Sequence, residues 1–324
     1  PFYSGWGLTT DEFPVQRRQR KLTRAQLFAA AMILYPKWYN PYRDALCPLE
    51  DALEALAAQT RCWREDHKGW TASEMRLWKR KPLQAFFGSV TPLVFQDPPP
   101  DISDRPRMVW AGKATQTHAG ATRIEDGFLR SRGLGAKLIP PMSLVADDLG
   151  IYYDPTRPSR LEQLITARAE LRPDQQARAE RLIERLTAAW LSKYNLTADA
   201  PDLSNLPAGQ RILVPGQVED DASIRTGTDG VSTNATLLKA TRAANPEAVI
   251  LYKPHPDVEA GLRDGGGEVA DADAVLINAD PIALLDKVDA VWTMTSLLGF
   301  EALLRGVPVT TFGAPFYAGW GLTT

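Results

Sequence analysis

Two adjacent carboxylates, a histidine locked between prolines and a pair of hydroxyl residues are the positions here whose types and spacing suit chemistry. Glu125 and Asp126 stand side by side ahead of Gly127. Each raises the other's pKa, so one of them can serve as a base or a nucleophile. Arg130 and Arg132 follow closely enough to hold such a carboxylate ionised or to grip an acidic sugar. In Lys253-Pro254-His255-Pro256 the prolines fix the backbone on both sides of the imidazole, which suits a donor to a phosphate or a leaving group. Thr295-Ser296 opens the run SLLGFEALLRG, where either residue can cap a helix whose free amides also attract an anion. The loop VPGQVEDDASI carries Gln217, suited to a base or a sugar hydroxyl, and the acids Glu219, Asp220 and Asp221. Asp271-Ala272-Asp273 has the spacing of a DxD metal motif, but it lies in a stretch that reads as a connecting loop and is rejected as a site.

The elements that must position these groups can be read from periodicity. After residue 208 the pattern alternates: strands are expected over 211–214, 249–253, 290–293 and 307–312, with helices over 234–245, 281–287 and 296–305. Such alternation means a parallel sheet of Rossmann type, whose ligands bind beyond the carboxyl ends of the strands. His255, Thr295, Ser296 and Gln217 all fall just after strands. In the first half, a strand is expected over 108–111 after a proline-rich linker at 97–107, and the Glu125-Asp126-Gly127 segment reads as an acidic turn. A long amphipathic helix over 173–194 suits a connection between lobes. Residues 11–90 read as helical, with helices at 22–34, 48–59 and 71–81. The expected division is 1–90, then a first Rossmann-like lobe over 91–195 and a second over 196–324.

Composition narrows the class. The chain has 324 residues, 44% of them hydrophobic and 23% charged, with a net charge of −2, which suits a two-lobed globular protein and argues against a dedicated nucleic-acid partner. The basic run Arg17, Arg18, Arg20, Lys21 reads as a solvated helix start. Two cysteines suggest neither a disulfide framework nor a zinc site, a count compatible with a reducing compartment. No apolar stretch is long enough for a membrane span. One feature is not compositional: PFYSGWGLTT at 1–10 returns as PFYAGWGLTT at 315–324, differing only at Ser4 and Ala318. A repeat of this kind is expected where a module occurs at least twice in one protein, the first ten residues being the tail of a preceding copy.

Taken in order, EDGFLRSRGLGA, VPGQVEDDASI, YKPHPD, TMTSLLGFEALLRGVPV and PFYAGWGLTT resemble the bacterial capsule polysaccharide β-Kdo transferases of the KpsC type, which carry two tandem modules. The resemblance covers essentially the whole chain. It implies a GT-B architecture with two Rossmann-like lobes across a cleft, CMP-β-Kdo as donor, retention of the β configuration, and no metal or other cofactor. By the same resemblance His255, Pro256, Ser296 and Thr295 bind the CMP phosphate, with Lys253 and Gln217 nearby. Asp126 leads as the catalytic carboxylate with Glu125 close behind, and Asp220 or Asp221 from the facing lobe is the second acid, the division of roles staying open. Arg130 and Arg132 would hold the sugar acid. The implied partners are CMP-Kdo, a Kdo-bearing glycolipid and the neighbouring module, with a cytoplasmic location and at most peripheral contact with the inner membrane. Since a GWGLTT tail precedes the module, a β-2,7 linkage is expected, and residues 11–90 are expected against the first lobe or between modules. A CDP-glycerol-type glycerophosphotransferase and a non-catalytic glycan-binding repeat are the competing classes.

Overall fold

The computed structural model describes residues 18, 20–100, 104–196, 198, 201–263 and 269–324, so the first copy of the repeat and Arg17 lie outside the described residues. The chain divides into two compact units, 1–67 and 68–324. In the first, Thr23 caps α1 (Arg24–Phe28) through a box with Gln26, and the helix continues as a π-helical stretch over Ala29–Leu34. An antiparallel pair, β1 (Trp38–Asn40) and β2 (Ala45–Cys47), precedes α2 (Leu49–Asp66), which starts directly after Pro48. This unit is therefore not purely helical.

The second unit holds both lobes. The first-lobe sheet comprises β3 (Thr71–Ser73), β4 (Val94–Phe95), β5 (Arg107–Trp110), β6 (Thr122–Asp126) and β7 (Leu144–Asp147), in the order β4-β3-β5-β6-β7. It is parallel except for the β6–β7 edge. Two expectations change here. The sheet reaches back to Thr71, twenty residues before the expected boundary at 91, and the helix expected over 71–81 is strand β3 followed by α3 (Leu77–Phe87). Glu125 and Asp126 do not sit in a turn: they end β6, paired with Val145 and Leu144. Ala72, Met108, Ile124, Met75, Leu83 and Leu93 form the core beneath.

After β7 come α4 (Arg160–Thr166) and α5 (Pro173–Ala188), the latter shorter than the expected 173–194 and with no buried residue. The second-lobe sheet comprises β8 (Arg211–Pro215), β9 (Val249–Lys253), β10 (Ala274–Val275), β11 (Ala290–Thr293) and β12 (Val309–Thr311). All pairs are parallel, in the order β10-β9-β8-β11-β12. Successive side chains alternate between its two buried faces. Leu213, Val249, Leu251, Val291 and Val309 pack on one face, and Ile212, Val214, Ile250, Tyr252 and Ala290 on the other. The intervening helices are α6 (Ala222–Gly227), α7 (Asn234–Ala244), α8 (Pro256–Glu259), α9 (Pro281–Leu285) and α10 (Leu297–Leu303), within a residue or two of the expected positions where those existed. The PFYAGWGLTT copy folds back on this lobe: Thr324 exchanges backbone bonds with Val309 and Thr311, at 3.0 and 2.9 Å, and the Tyr317 hydroxyl donates to Ser296 O at 2.5 Å.

Candidate active site

The second-lobe wall is built at the carboxyl ends of β8, β9 and β11. His255 caps α8: its Nδ1 accepts from the Asp257 backbone N–H at 3.1 Å. That bond fixes the tautomer of the neutral ring, leaving Nε2–H as a donor. Burial, with Lys193 beside it, pushes the imidazole down to about 4, so it is neutral at ordinary pH. Pro256 occupies the first turn of α8, and Lys253, 5% exposed, is held by Glu259 at 2.7 Å. Ser296 caps α10, its oxygen accepting from Leu298 N–H at 3.3 Å while its own proton stays available to an anion.

Gln217 is a brace. Its Oε1 accepts from Thr295 N–H at 2.9 Å and the Thr293 hydroxyl at 3.2 Å, and its Nε2 donates to the Thr295 hydroxyl at 2.9 Å. Its backbone is clamped by Asn234 in both directions, at 2.8 and 2.9 Å. One Nε2–H is left over, so Gln217 is first a brace for the β11 end and, lining the cavity, keeps a single donor for a base or a sugar hydroxyl. The Thr295 hydroxyl donates onward to Ser223 at 3.3 Å, and Ser223 to Asp221 at 2.8 Å. Asp221 caps α6 through the Ser223 N–H, and Asp220, 75% exposed, pairs with Arg263 at 2.6 Å, which holds its carboxyl below the usual range. Both line the cleft, but each carboxylate already has a structural partner.

On the first-lobe wall, Arg130 is 1% exposed and donates its Nε to Asp126 Oδ2 at 2.7 Å and its Nη1 to the Ser131 hydroxyl at 2.8 Å. Asp126 Oδ1 is buried and has no hydrogen-bond partner among the described residues. Glu125 accepts the Asp126 N–H at 2.9 Å, and burial raises its carboxyl to about 7. Glycines make the close packing possible: a Cβ on Gly127 would overlap the Ser143 hydroxyl, and one on Gly135 would lie 2.7 Å from Arg130 Nη2. Arg132 is exposed and does not line the cleft, so of the two expected arginines only Arg130 belongs to the site, as the partner of Asp126.

The two walls meet around one cavity of about 870 Å³, lined by Glu125, Asp126 and Arg130 from the first lobe and by His255, Thr295 and Ser296 from the second. An aromatic group seats the lobes together: Phe128 stacks on Phe316 of the repeat motif at 4.6 Å, and Tyr152 meets Phe128 edge-on at 4.9 Å. Sequence reasoning missed several lining residues. Lys79 lies 2.8 Å from the Trp110 ring centroid, and burial lowers it to about 8 despite Asp126 and Glu125. Lys193 ties the lobes, its N–H donating to Glu301 Oε1 at 2.8 Å and its carbonyl accepting from Arg130 N–H at 2.9 Å. Burial raises Glu301 to about 7. Among the described residues no cluster of three or more His, Cys, Asp or Glu has the arrangement of a metal site, and Asp273 of the rejected DxD instead pairs with Arg242 at 2.6 Å. No helix among them is long and apolar enough to cross a membrane.

Residues 103–199 and 179–324 match the family described as capsule polysaccharide biosynthesis protein. Over 353 aligned residues, the whole of this chain is 41% identical to 49% of the capsule polysaccharide modification protein LipA of Neisseria meningitidis serogroup B (strain ATCC BAA-335 / MC58). The lipopolysaccharide-processing protein LpsZ of Rhizobium meliloti is 50% identical over 211 residues, 62% of this chain and 47% of LpsZ. The chain thus spans about half the length of the curated relatives it matches. Among solved structures, the KpsC β-Kdo 2,4 transferase of Thermosulfurimonas dismutans aligns with a TM-score of 0.70 at 33% identity, covering 79% of this chain and 83% of that one. The KpsC β-Kdo 2,7 transferase of the same organism aligns with a TM-score of 0.62 at 35% identity, covering 79% and 82%.

Proposed function

Because the chain belongs to the capsule polysaccharide biosynthesis protein family, we propose that it is a KpsC-type transferase module that moves Kdo from CMP-β-Kdo to a Kdo-bearing glycolipid with retention and without a metal. The observation that carries this reading is the opposition of the Glu125–Asp126 pair to His255 and Ser296 across one cavity. Retention by double displacement needs a nucleophile on the far side of the anomeric carbon from the departing phosphate. Asp126 fits that part: Arg130 holds Oδ2, and Oδ1 has an unspent lone pair. As the bond to CMP breaks, the phosphate takes up the electron pair, and His255 Nε2–H with the Ser296 hydroxyl stabilises the growing charge. The acceptor hydroxyl then displaces Asp126 from the sugar. Glu125, whose carboxyl sits near 7, exchanges the proton this step releases.

The proposed linkage is β-2,7, supported by the repeat PFYSGWGLTT, which places module-tail sequence ahead of this module. The neighbouring module is the proposed partner in the same protein, and the lipid-borne acceptor is reached by peripheral contact at the inner face of the inner membrane. The test is transfer from CMP-Kdo, generated in place, to a short Kdo acceptor, with product linkage read by NMR. Asp126→Asn is expected to lose about 10⁴-fold in kcat, as when a covalent nucleophile is removed. Wild-type protein that binds CMP yet makes no product would favour the glycan-binding reading, and an Asp126→Asn protein of undiminished rate would remove the nucleophile from its role.

A further inference from the structure

The donor proposed above carries its own charge problem. Kdo is a 2-keto sugar acid, so its carboxylate is attached to the anomeric carbon, one bond from the reacting centre. In this cavity that carboxylate must come close to Glu125 and Asp126. A cation with spare capacity is needed there. Arg130 spends Nε on Asp126 and Nη1 on Ser131, and its buried Nη2, without a partner among the described residues, lies against Gly135; Lys253 is paired with Glu259, and Arg263 with Asp220. Arg132 faces away from the cleft, and the Lys79 ammonium lies on the Trp110 ring.

Lys193 remains. Its backbone is pinned from both lobes, by Glu301 at 2.8 Å and by the Arg130 and Ser131 N–H groups at 2.9 and 3.2 Å, so the position of its Cα does not depend on its side chain. The side chain lines the cavity, 5.2 Å from the Tyr194 ring centroid, and among the described residues the ammonium has neither a hydrogen bond nor an ion pair. Its field is felt by Glu125 on one wall and by His255 and Asp257 on the other. Burial opposes its charge, but the acidic groups around it, Asp126 and Glu125 among them, raise its pKa on balance.

We propose that the Lys193 ammonium seats the carboxylate of the donor sugar and is the residue by which this module selects a sugar acid over a neutral sugar. The inference rests on the Kdo-transferase reading, and one comparison separates the two. In an Asp126→Asn background, which keeps an acceptor for Arg130 and spares the donor from consumption, affinities for CMP-β-Kdo and for CMP alone are measured with and without Lys193→Met. The ratio of the two affinities is expected to fall about 10- to 100-fold with Lys193→Met, as for loss of one charge-assisted contact, while CMP affinity holds. Lys193→Arg is expected to restore most of the ratio. An unchanged ratio overturns the inference, as does a parallel loss of CMP affinity, which would mark a structural role. Failure of wild-type protein to transfer Kdo at all would instead count against the reading beneath it.

Discussion

Replacing Glu125 by glutamine should make the protein more stable at high pH while slowing it as an enzyme. Burial lifts this carboxyl from its ordinary 4.5 to about 7, so folding favours the protonated form. The sign follows from proton counting: between those two values the folded state binds more protons than the unfolded state, so stability falls as pH rises. The contribution is intact below 4.5 and is lost as pH passes through 7. A displacement of that size corresponds to roughly 3 kcal/mol, and about 2–3 kcal/mol after allowance for the solvent that reaches a half-buried carboxyl. Glutamine keeps the shape and the acceptor for the Asp126 N–H, without the charge. Urea unfolding followed by tryptophan emission should therefore find Glu125→Gln and wild type alike near pH 4, with the variant more stable by that amount at pH 8. Equal stability at pH 8 would mean that the carboxyl ionises as freely as in water, and the argument for Glu125 as a proton carrier near neutrality would fail with it.

Three further outcomes follow from the same geometry. His255→Ala should lower kcat by about 10²–10³-fold, as loss of one preorganised donor to a developing anion does; because burial holds the ring at about 4, wild-type activity should show no limb from His255 above pH 5, checked by a pH–rate profile. Gln217→Ala strands the Thr295 N–H and the Thr293 hydroxyl, so it should cost about 2–4 kcal/mol in urea unfolding and weaken CMP binding in calorimetry. Glu301→Ala removes the acceptor for Lys193 N–H and should destabilise by about 1–3 kcal/mol, whereas Glu301→Gln, which keeps the acceptor and removes a carboxyl raised to about 7, should gain stability at pH 8 in the same assay.

The second lobe was legible because its strands are buried on both faces and its helices carry caps. Short apolar runs such as VILYK and AVWT, alternating with segments of helical spacing, read as buried parallel strands, and Ser296, read as a cap, is where α10 begins. The first lobe was less so. Thr71–Ser73 is too short for a two-residue period to appear, and the aromatic, basic stretch after it has helical spacing, so strand and helix merged into one expected helix. Gly127 and two acids suggested a turn at Glu125–Asp126. The antiparallel partner β7, which makes that segment a strand end, lies nearly twenty residues on and has no local signal.

The site divides along a different line, between polar groups that satisfy the protein and polar groups that remain unsatisfied. Position after a strand singled out His255, Thr295, Ser296 and Gln217, and adjacency of two acids singled out Glu125 and Asp126; the structure brings all six to one cavity. Position alone could not separate Arg130 from Arg132, two residues apart, one buried against Asp126 and the other in solvent. Nor could it foresee that Gln217, Thr295, Ser223 and Asp221 form one chain of hydrogen bonds that holds the ends of β8 and β11 in register. A buried amide seeks partners for its donors and acceptors, and backbone and hydroxyl groups take both lone pairs and one N–H of Gln217, which makes it chiefly scaffold. What is left for a substrate is unspent capacity, such as Asp126 Oδ1, Arg130 Nη2, His255 Nε2–H, the Ser296 proton and the Lys193 ammonium. Lys193 was invisible in the sequence because its partner Glu301 is 108 residues away, and only the closed fold turns an ordinary lysine at the end of a connector into a fixed positive charge between the two walls.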